Sequence, residues 1–185
     1  RGRFLVQASA RPRCIQDYYG FPERYYEFRY DPPGHPALAA AIAAEARHAG
    51  LSAAATEAWG LDHGHWVPLL FLRPEAATPV VALSMANVSL EEHRRFGEAV
   101  RRAAEATGLT LAVVATGSPG HRLDRVTWGR HGPYPEGEEF DRRLIEALTE
   151  GRPQAIAAIE PRLWEAAAPE GFLAPLYILL GALGW

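Results

Sequence analysis

The chain has 185 residues, a net charge of −3 and a pI near 6.2, which give no reason to expect nucleic acid as a partner. All 19 basic residues are arginine, so lysine Schiff-base chemistry and a Walker-type phosphate loop are excluded within this chain. A single cysteine, Cys14, excludes an internal disulfide framework and a cysteine-based zinc site. The longest apolar run, residues 172–185, is too short to span a bilayer, so no membrane partner is predicted. These features predict one cytoplasmic domain covering residues 1–185.

The first half of the chain alternates predicted strands with one helix and one long loop. Residues 4–8 form a strand candidate, and residues 11–36 are predicted to be an ordered loop because six Tyr and Phe fall between Tyr18 and Phe28. Pro36 and Gly50 bracket a predicted helix over residues 37–49. Residues 51–56 are a weaker strand candidate. The continuous apolar run 79–85 is typical of a strand buried on both faces.

The second half adds one more strand and the remaining helices. Ser89 and Glu92 have the spacing of a capping box, so a helix is predicted to begin there and to end at Gly108. Residues 109–115 are a second fully apolar strand candidate. Residues 135–150 form a predicted helix, and residues 153–183 a helical tail with a break near Pro169. The alternation predicts an α/β layered sandwich with a largely parallel central sheet flanked by helices.

Histidines in two segments are candidates for a functional site. His63 and His65 follow Asp62 in a glycine-flanked run, interpreted as a loop over residues 60–69, and His121 follows the strand candidate 109–115. Ligands of open α/β sheets collect beyond the carboxyl ends of strands, so both segments are predicted to reach one crevice. The plain alternatives are that His121 only caps a loop and that His65 packs beside Trp66.

The remaining histidines carry less functional signal. His35, His48 and His93 lie in or beside alanine- and glutamate-rich helices, where solvated side chains are expected. His131 is a loop residue without an assigned role.

An ordered series of motifs resembles the class III, or LigB-type, extradiol dioxygenases, most closely the branch that contains the DOPA 4,5-dioxygenases. The matching segments run over nearly the whole chain. They are Asp-Tyr-Tyr-Gly-Phe-Pro at residues 17–22, Tyr-Asp-Pro-Pro-Gly-His-Pro at 30–36, Gly-Leu-Asp-His-Gly-His-Trp at 60–66, the apolar run at 79–84, Thr-Gly-Ser-Pro-Gly-His-Arg-Leu at 116–123, and Gly-Pro-Tyr-Pro at 132–135 with Phe140.

The resemblance implies a chemistry and roles for individual residues. The family uses a non-haem Fe(II) that binds both oxygens of a catechol and activates O2, with Zn(II) as the alternative metal here. By this resemblance His121 is the acid/base, and His63 lies beside bound oxygen and substrate. Asp62 and His65 are expected to bind substrate. The implied partners are a catechol substrate and O2, and a homo-oligomer is left open.

Two departures from the family pattern bear on the metal. The two N-terminal histidine ligands would precede Arg1, because the chain is expected to lack the family's N-terminal strands and its last C-terminal strand. The C-terminal histidine ligand of the DOPA-like branch corresponds to Gly171, and Glu170 is the candidate carboxylate in its place. Two other interpretations therefore stand beside the enzyme: a metal-free family member acting as a binding or interaction protein, and a zinc site built from His63, His65 and His121.

Overall fold

A computed structural model describes residues 2–122 and 134–185 of the chain. The two described strands are β1 (Phe4–Gln7) and β2 (Ala53–Thr56). The α-helices are α1 (Pro36–His48), α2 (His63–Leu72), α3 (Leu90–Thr107), α4 (Pro135–Thr149), α5 (Pro161–Ala167) and α6 (Ala174–Leu183). Short 3-10 helices cover Glu23–Glu27, Pro153–Ala158 and Glu170–Leu173. The mixed α/β class with flanking helices is confirmed.

The sheet is small, and its two strands run parallel. β1 pairs with β2 in the register that sets Phe4 opposite Ala53. On the other side of β1, the Gln7 N–H donates to the Ala82 carbonyl at 2.9 Å and the Ser84 N–H donates to the Leu5 carbonyl at 3.0 Å. These two bonds form a single antiparallel bridge between Val6 and Leu83. The predicted strand over residues 79–85 is therefore wrong. Of its residues only Ala82 is buried, so the run is not enclosed on both faces.

The strand predicted over residues 109–115 is also wrong. The backbone of residues 110–115 makes no backbone hydrogen bond with any described residue. Leu109 and Leu111 nevertheless pack against the main core, and exposure alternates from residue to residue as it would on a strand. The continuous apolar run thus did not predict that alternate residues such as Val114 are exposed. Strand pairing also requires a partner backbone, which a local pattern does not supply.

Helix α3 confirms the capping signal read from the sequence. The Ser89 hydroxyl accepts from Glu92 N–H at 3.1 Å, and the Glu92 carboxylate accepts from Ser89 N–H at 3.1 Å. Gly108 ends the helix with φ of 66°. Helix α1 begins at Pro36, as predicted, with His35 as its N-cap. The predicted tail over residues 153–183 breaks more often than expected, into two 3-10 helices, α5 and α6.

The described residues form three buried hydrophobic clusters, the smallest of which contains Leu61 and Trp66. The first joins β1, β2, α1 and α3 and includes the stacked rings of Phe4 and Phe96, 4.2 Å apart. The second lies among α4, α5 and α6 around Phe140 and Leu163. Helices α3 and α6 can approach closely because Gly97 and Gly181 have no Cβ. A Cβ added at either position would overlap the backbone of the other helix.

His93, expected to be solvated, is buried with 2% exposure in the first core. Its Nδ1 lies 2.8 Å from the Ser89 carbonyl oxygen, to which it donates, and its Nε2 accepts from Ala86 N–H at 3.3 Å. Both ring nitrogens are therefore satisfied by the backbone at the start of α3, which removes the penalty of burying a polar ring. His48 is exposed as predicted, whereas His131 lies outside the described residues.

Candidate active site

The first part of the candidate site is the N-terminus of α2. The sequence indicated a loop over residues 60–69, but a helix begins at His63, with Asp62 as its N-cap. The Asp62 carboxylate accepts from the His65 backbone N–H at 3.3 Å and from His65 Nδ1 at 2.6 Å. The side-chain hydrogen bond from His65 lowers the pKa of Asp62 and outweighs the opposing effect of burial. Asp62 therefore both begins the helix and orients the His65 ring.

A second carboxylate holds the neighbouring imidazole. Asp17 Oδ1 accepts from the His63 backbone N–H at 2.9 Å and lies 2.8 Å from His63 Nδ1. Burial raises the pKa of Asp17, but the backbone and ring hydrogen bonds from His63 outweigh it and keep that pKa below its usual value. Both side chains remain accessible, with 55% exposure for His63 and 37% for Asp17. The Asp17–His63 pair is therefore accessible from solvent.

The loop that carries Asp17 is fixed in place by backbone pairing. Ile15 N–H donates to Leu61 at 2.8 Å, and Leu61 N–H donates to Arg13 at 2.7 Å. The buried Trp66 indole donates to the Ile15 carbonyl at 2.9 Å, which ties the first turns of α2 to the same loop. Asp17, two residues beyond Ile15, is thereby brought beside His63.

A proline in α2 links this region to the loop that carries His121. Pro68 has no backbone N–H, so the Gly64 carbonyl, four residues earlier, lacks its usual helical donor. The Thr116 hydroxyl supplies that hydrogen bond at 3.1 Å. Residue 116 opens the segment that ends at His121. The two histidine segments are thus joined at a backbone group that α2 itself leaves free.

The His121 loop is held chiefly by its backbone. His121 N–H donates to the Ala167 carbonyl at 2.8 Å. Ser118 N–H donates to the Glu170 carboxylate at 2.9 Å, and Glu170 N–H donates to the Ser118 carbonyl at 3.0 Å. The His121 Nδ1 lies 3.9 Å from Glu170 Oε2, within range of charge attraction but beyond a hydrogen bond. Its ring is hydrogen-bonded to none of the described residues, and 32% of the side chain is exposed.

The described residues do not form a complete metal site. No three His, Cys, Asp or Glu side chains among residues 2–122 and 134–185 lie together in a way that could hold an ion. His63, His65 and His121 are all described, so the three-histidine zinc interpretation lacks its geometry. Glu170, the candidate carboxylate ligand, is instead bonded to Ser118 and lies near His121. Fe(II) or Zn(II) in a three-ligand site does not fit these residues alone.

Gly171 is unsuited to the histidine that the family pattern has there. Its φ is +54°, a left-handed backbone conformation that residues other than glycine rarely adopt. A Cβ added at this position would lie 2.5 Å from the Met85 sulfur. The local backbone and its neighbour are thus arranged around a glycine.

Two residues of the site were not singled out by sequence reasoning. Asp17 was read only as part of a motif, although it contacts His63 directly, and Thr116 only as the start of another. Asp17 and His63 are 46 residues apart, so no local pattern indicates their pairing. Pro68 within the apolar run was the available signal for Thr116, because a proline in a helix leaves one carbonyl without its donor.

Comparison with known proteins decides the family. The family described as the catalytic LigB subunit of aromatic ring-opening dioxygenase matches residues 3–185. The chain belongs to the LigB family. It is 34% identical over 176 residues to the 4,5-DOPA dioxygenase extradiol of Beta vulgaris, covering 92% of this chain and 64% of that protein. It is 27% identical over 196 residues to the 3,4-dihydroxyphenylacetate 2,3-dioxygenase of Escherichia coli, covering 98% of this chain and 71% of that protein.

A solved structure has a similar fold. The uncharacterized protein JW3007 from Escherichia coli K12 has a TM-score of 0.71 and 27% identity, covering 97% of this chain and 70% of that one. The chain therefore spans roughly two thirds of the length of these relatives. None of the described helices combines the length and the apolar character that crossing a bilayer requires.

Proposed function

We propose that this LigB-family protein opens a catechol-type aromatic ring next to its two hydroxyls, with O2 as oxidant. The observation that carries the proposal is the junction of the two histidine segments by the Thr116–Gly64 hydrogen bond, within a family whose relatives are extradiol dioxygenases. In this reaction a ring C–C bond beside the diol and the O–O bond both break. Both oxygen atoms enter the product.

His121 is the proposed general acid/base. Its ring makes no hydrogen bond to a described residue and 32% of the side chain is exposed, which supports a contact between a ring nitrogen and a substrate hydroxyl. When the catechol O–H bond breaks, the proton passes to that nitrogen, and it returns to an oxygen of the opened product. An imidazole suits both directions because its ordinary pKa lies near neutral pH. Glu170 Oε2 lies 3.9 Å from the Nδ1 of this ring.

The α2 histidines are proposed to bind and polarise the substrate. His63 would contact the oxygen and substrate, and Asp62 with His65 would contact the substrate hydroxyls. Each ring has Nδ1 turned to a carboxylate, which leaves Nε2 for the ligand. Imidazoles of His63 and His121 within about 10 Å of each other could both reach one catechol. That separation stays a prediction.

The proposed metal is Fe(II), with Zn(II) as the alternative, and its ligands would have to include groups outside residues 2–122 and 134–185. No step above depends on the metal. The proposal further places the protein in aromatic compound catabolism in the cytoplasm, with a catechol and O2 as its partners and a homo-oligomer as an open assembly state.

The test is an activity assay on the protein expressed from its complete gene. Supplied with Fe(II) and O2, it should convert 3,4-dihydroxyphenylalanine or 3,4-dihydroxyphenylacetate to a yellow ring-opened product, with one O2 consumed per ring. Product mass raised by both oxygen atoms of labelled O2 distinguishes this from one-oxygen chemistry. A protein that holds iron and opens neither catechol would overturn the proposal.

A second candidate is a metal-free LigB member that acts as a binding or interaction protein. Gly171 favours it, because the position of the family's C-terminal histidine ligand has no side chain here and a left-handed backbone that glycine adopts most readily. Equilibrium binding of a catechol without metal and without turnover is the result that this candidate expects.

A further inference from the structure

Asp17 makes two hydrogen bonds to a single residue, and these determine how the His63 ring is presented. The same carboxylate oxygen, Oδ1, is 2.9 Å from the His63 backbone nitrogen and 2.8 Å from its Nδ1. An ionised carboxylate only accepts hydrogen bonds, so Nδ1 must carry the hydrogen. In the neutral ring Nε2 is then the nitrogen with the free lone pair. The geometry fixes one of the two tautomers that a free histidine would sample.

The ring is confined on a second side by Tyr18. The two ring centroids are 6.0 Å apart and the planes meet at 84°, an edge-to-face arrangement. Tyr18 also contacts Trp66, the buried anchor of α2. His63 is therefore held by hydrogen bonds at Nδ1 and by an aromatic neighbour, although more than half of its side chain is exposed.

The Asp17–His63 pair contributes little to the stability of the fold. Exposed ion pairs contribute about 0–1 kcal/mol to folding, and His63 and Asp17 are both more than one third exposed. A carboxylate that accepts from one ring nitrogen has a different effect, which is to fix the tautomer and to stabilise the ring when it takes a second proton. That effect matters only if the opposite nitrogen meets a ligand.

We propose that Asp17 is a positioning residue that keeps His63 with Nδ1–H toward the carboxylate and Nε2 toward the substrate. This inference rests on the proposed function, and no bond is made or broken at His63. Its Nε2 accepts a hydrogen bond from a catechol hydroxyl, whereas the catechol proton passes to His121.

The test compares Asp17→Asn with Asp31→Asn in the protein expressed from its complete gene. Asp31 is an exposed aspartate of the same 11–36 segment without a hydrogen bond to His63. Long-range 1H–15N spectra of histidine-labelled protein report the tautomer, and a His63→Gln spectrum assigns the signal. Wild type and Asp31→Asn should show His63 with hydrogen on Nδ1. Asp17→Asn should show a mixture, and Asp17→Glu should restore part of the wild-type pattern.

Kinetics supply the second readout. Asp17→Asn should lower kcat about tenfold with little change in KM, the size usual for groups that orient a functional imidazole. A merely structural role would leave the His63 tautomer unchanged.

The outcomes separate the two proposals. An unchanged His63 tautomer in Asp17→Asn overturns the role of Asp17, whatever the activity. If Asp17→Asn changes the His63 tautomer but the wild-type protein opens no catechol, the positioning by Asp17 is supported and the proposed function is overturned. If Asp17→Asn does not fold, the wild-type spectrum decides, since a His63 ring with its hydrogen on Nε2 would contradict the inference.

Discussion

The two histidine regions of the site are built in opposite ways. At the start of α2, His63 and His65 each have a carboxylate within 2.8 Å of Nδ1, so both rings are fixed by side chains. In the 116–121 loop the backbone is fixed instead, by His121 N–H on Ala167 and by Ser118 on Glu170, while the His121 ring has no hydrogen-bond partner among the described residues. A fixed ring suits orientation of a ligand, and an unbonded one suits proton exchange.

The strongest way to break this comparison is to remove the His121 ring. His121→Ala in the complete protein should lower turnover by about 10²-fold or more, the usual loss for a general acid/base, with metal content nearly unchanged. Steady-state rates and metal analysis measure the two effects. Normal turnover in this variant would contradict the role of His121, and lost metal would make the ring a ligand instead.

Asp62 tests the fixed region through stability. Asp62→Ala removes the N-cap of α2, so the free energy of unfolding should fall by about 1 kcal/mol, whereas Asp62→Asn keeps a capping side chain and should lose less. Urea unfolding followed by circular dichroism measures the difference. Equal loss in both variants would mean that the charge on Asp62, rather than the cap, stabilises this turn.

Glu170 tests the loop region in the same way. Glu170→Ala removes the acceptor of Ser118 N–H and should lower the free energy of unfolding by about 0.5–1.5 kcal/mol, while Glu170→Gln retains an acceptor oxygen. The His63 ring signals should not move in either variant. A shift of those signals would show that the two regions are coupled more tightly than the single Thr116–Gly64 bond implies.

The smallest expected effect is the pH dependence of the two exposed carboxylates. The pKa values of Asp17 and Asp62 are below the ordinary 3.8, so each stabilises the fold above that pH and loses its contribution as the pH falls through the lowered value. The stability difference between wild type and Asp17→Asn should therefore shrink as the pH falls below 3.8. Urea unfolding at each pH gives the difference, and a gap that grows as the pH falls below 3.8 would contradict the assigned sign.

Local signals predicted local structure well. The Ser89–Glu92 capping box and Gly108 gave α3 its ends, and Pro36 gave α1 its start, because caps depend on residues within one turn. The same reasoning missed α2, whose N-cap Asp62 was read as part of a loop. It also placed His93 in solvent. The two backbone groups that hydrogen-bond the buried ring, on Ala86 and Ser89, are brought to it only by the folded turn before α3.

The sequence by itself determined the family, the α/β class and the candidate histidines, because ordered motifs and hydrophobic periodicity are properties of the chain alone. Only the tertiary structure decided which carboxylate meets which imidazole. Asp17 reaches His63 across 46 residues, and Thr116 finds the carbonyl that Pro68 leaves free in a separate helix. Apolar runs indicate which segments lie near the core, but the buried face and the hydrogen-bond partners depend on how distant backbones come together, and that is fixed when the whole core packs.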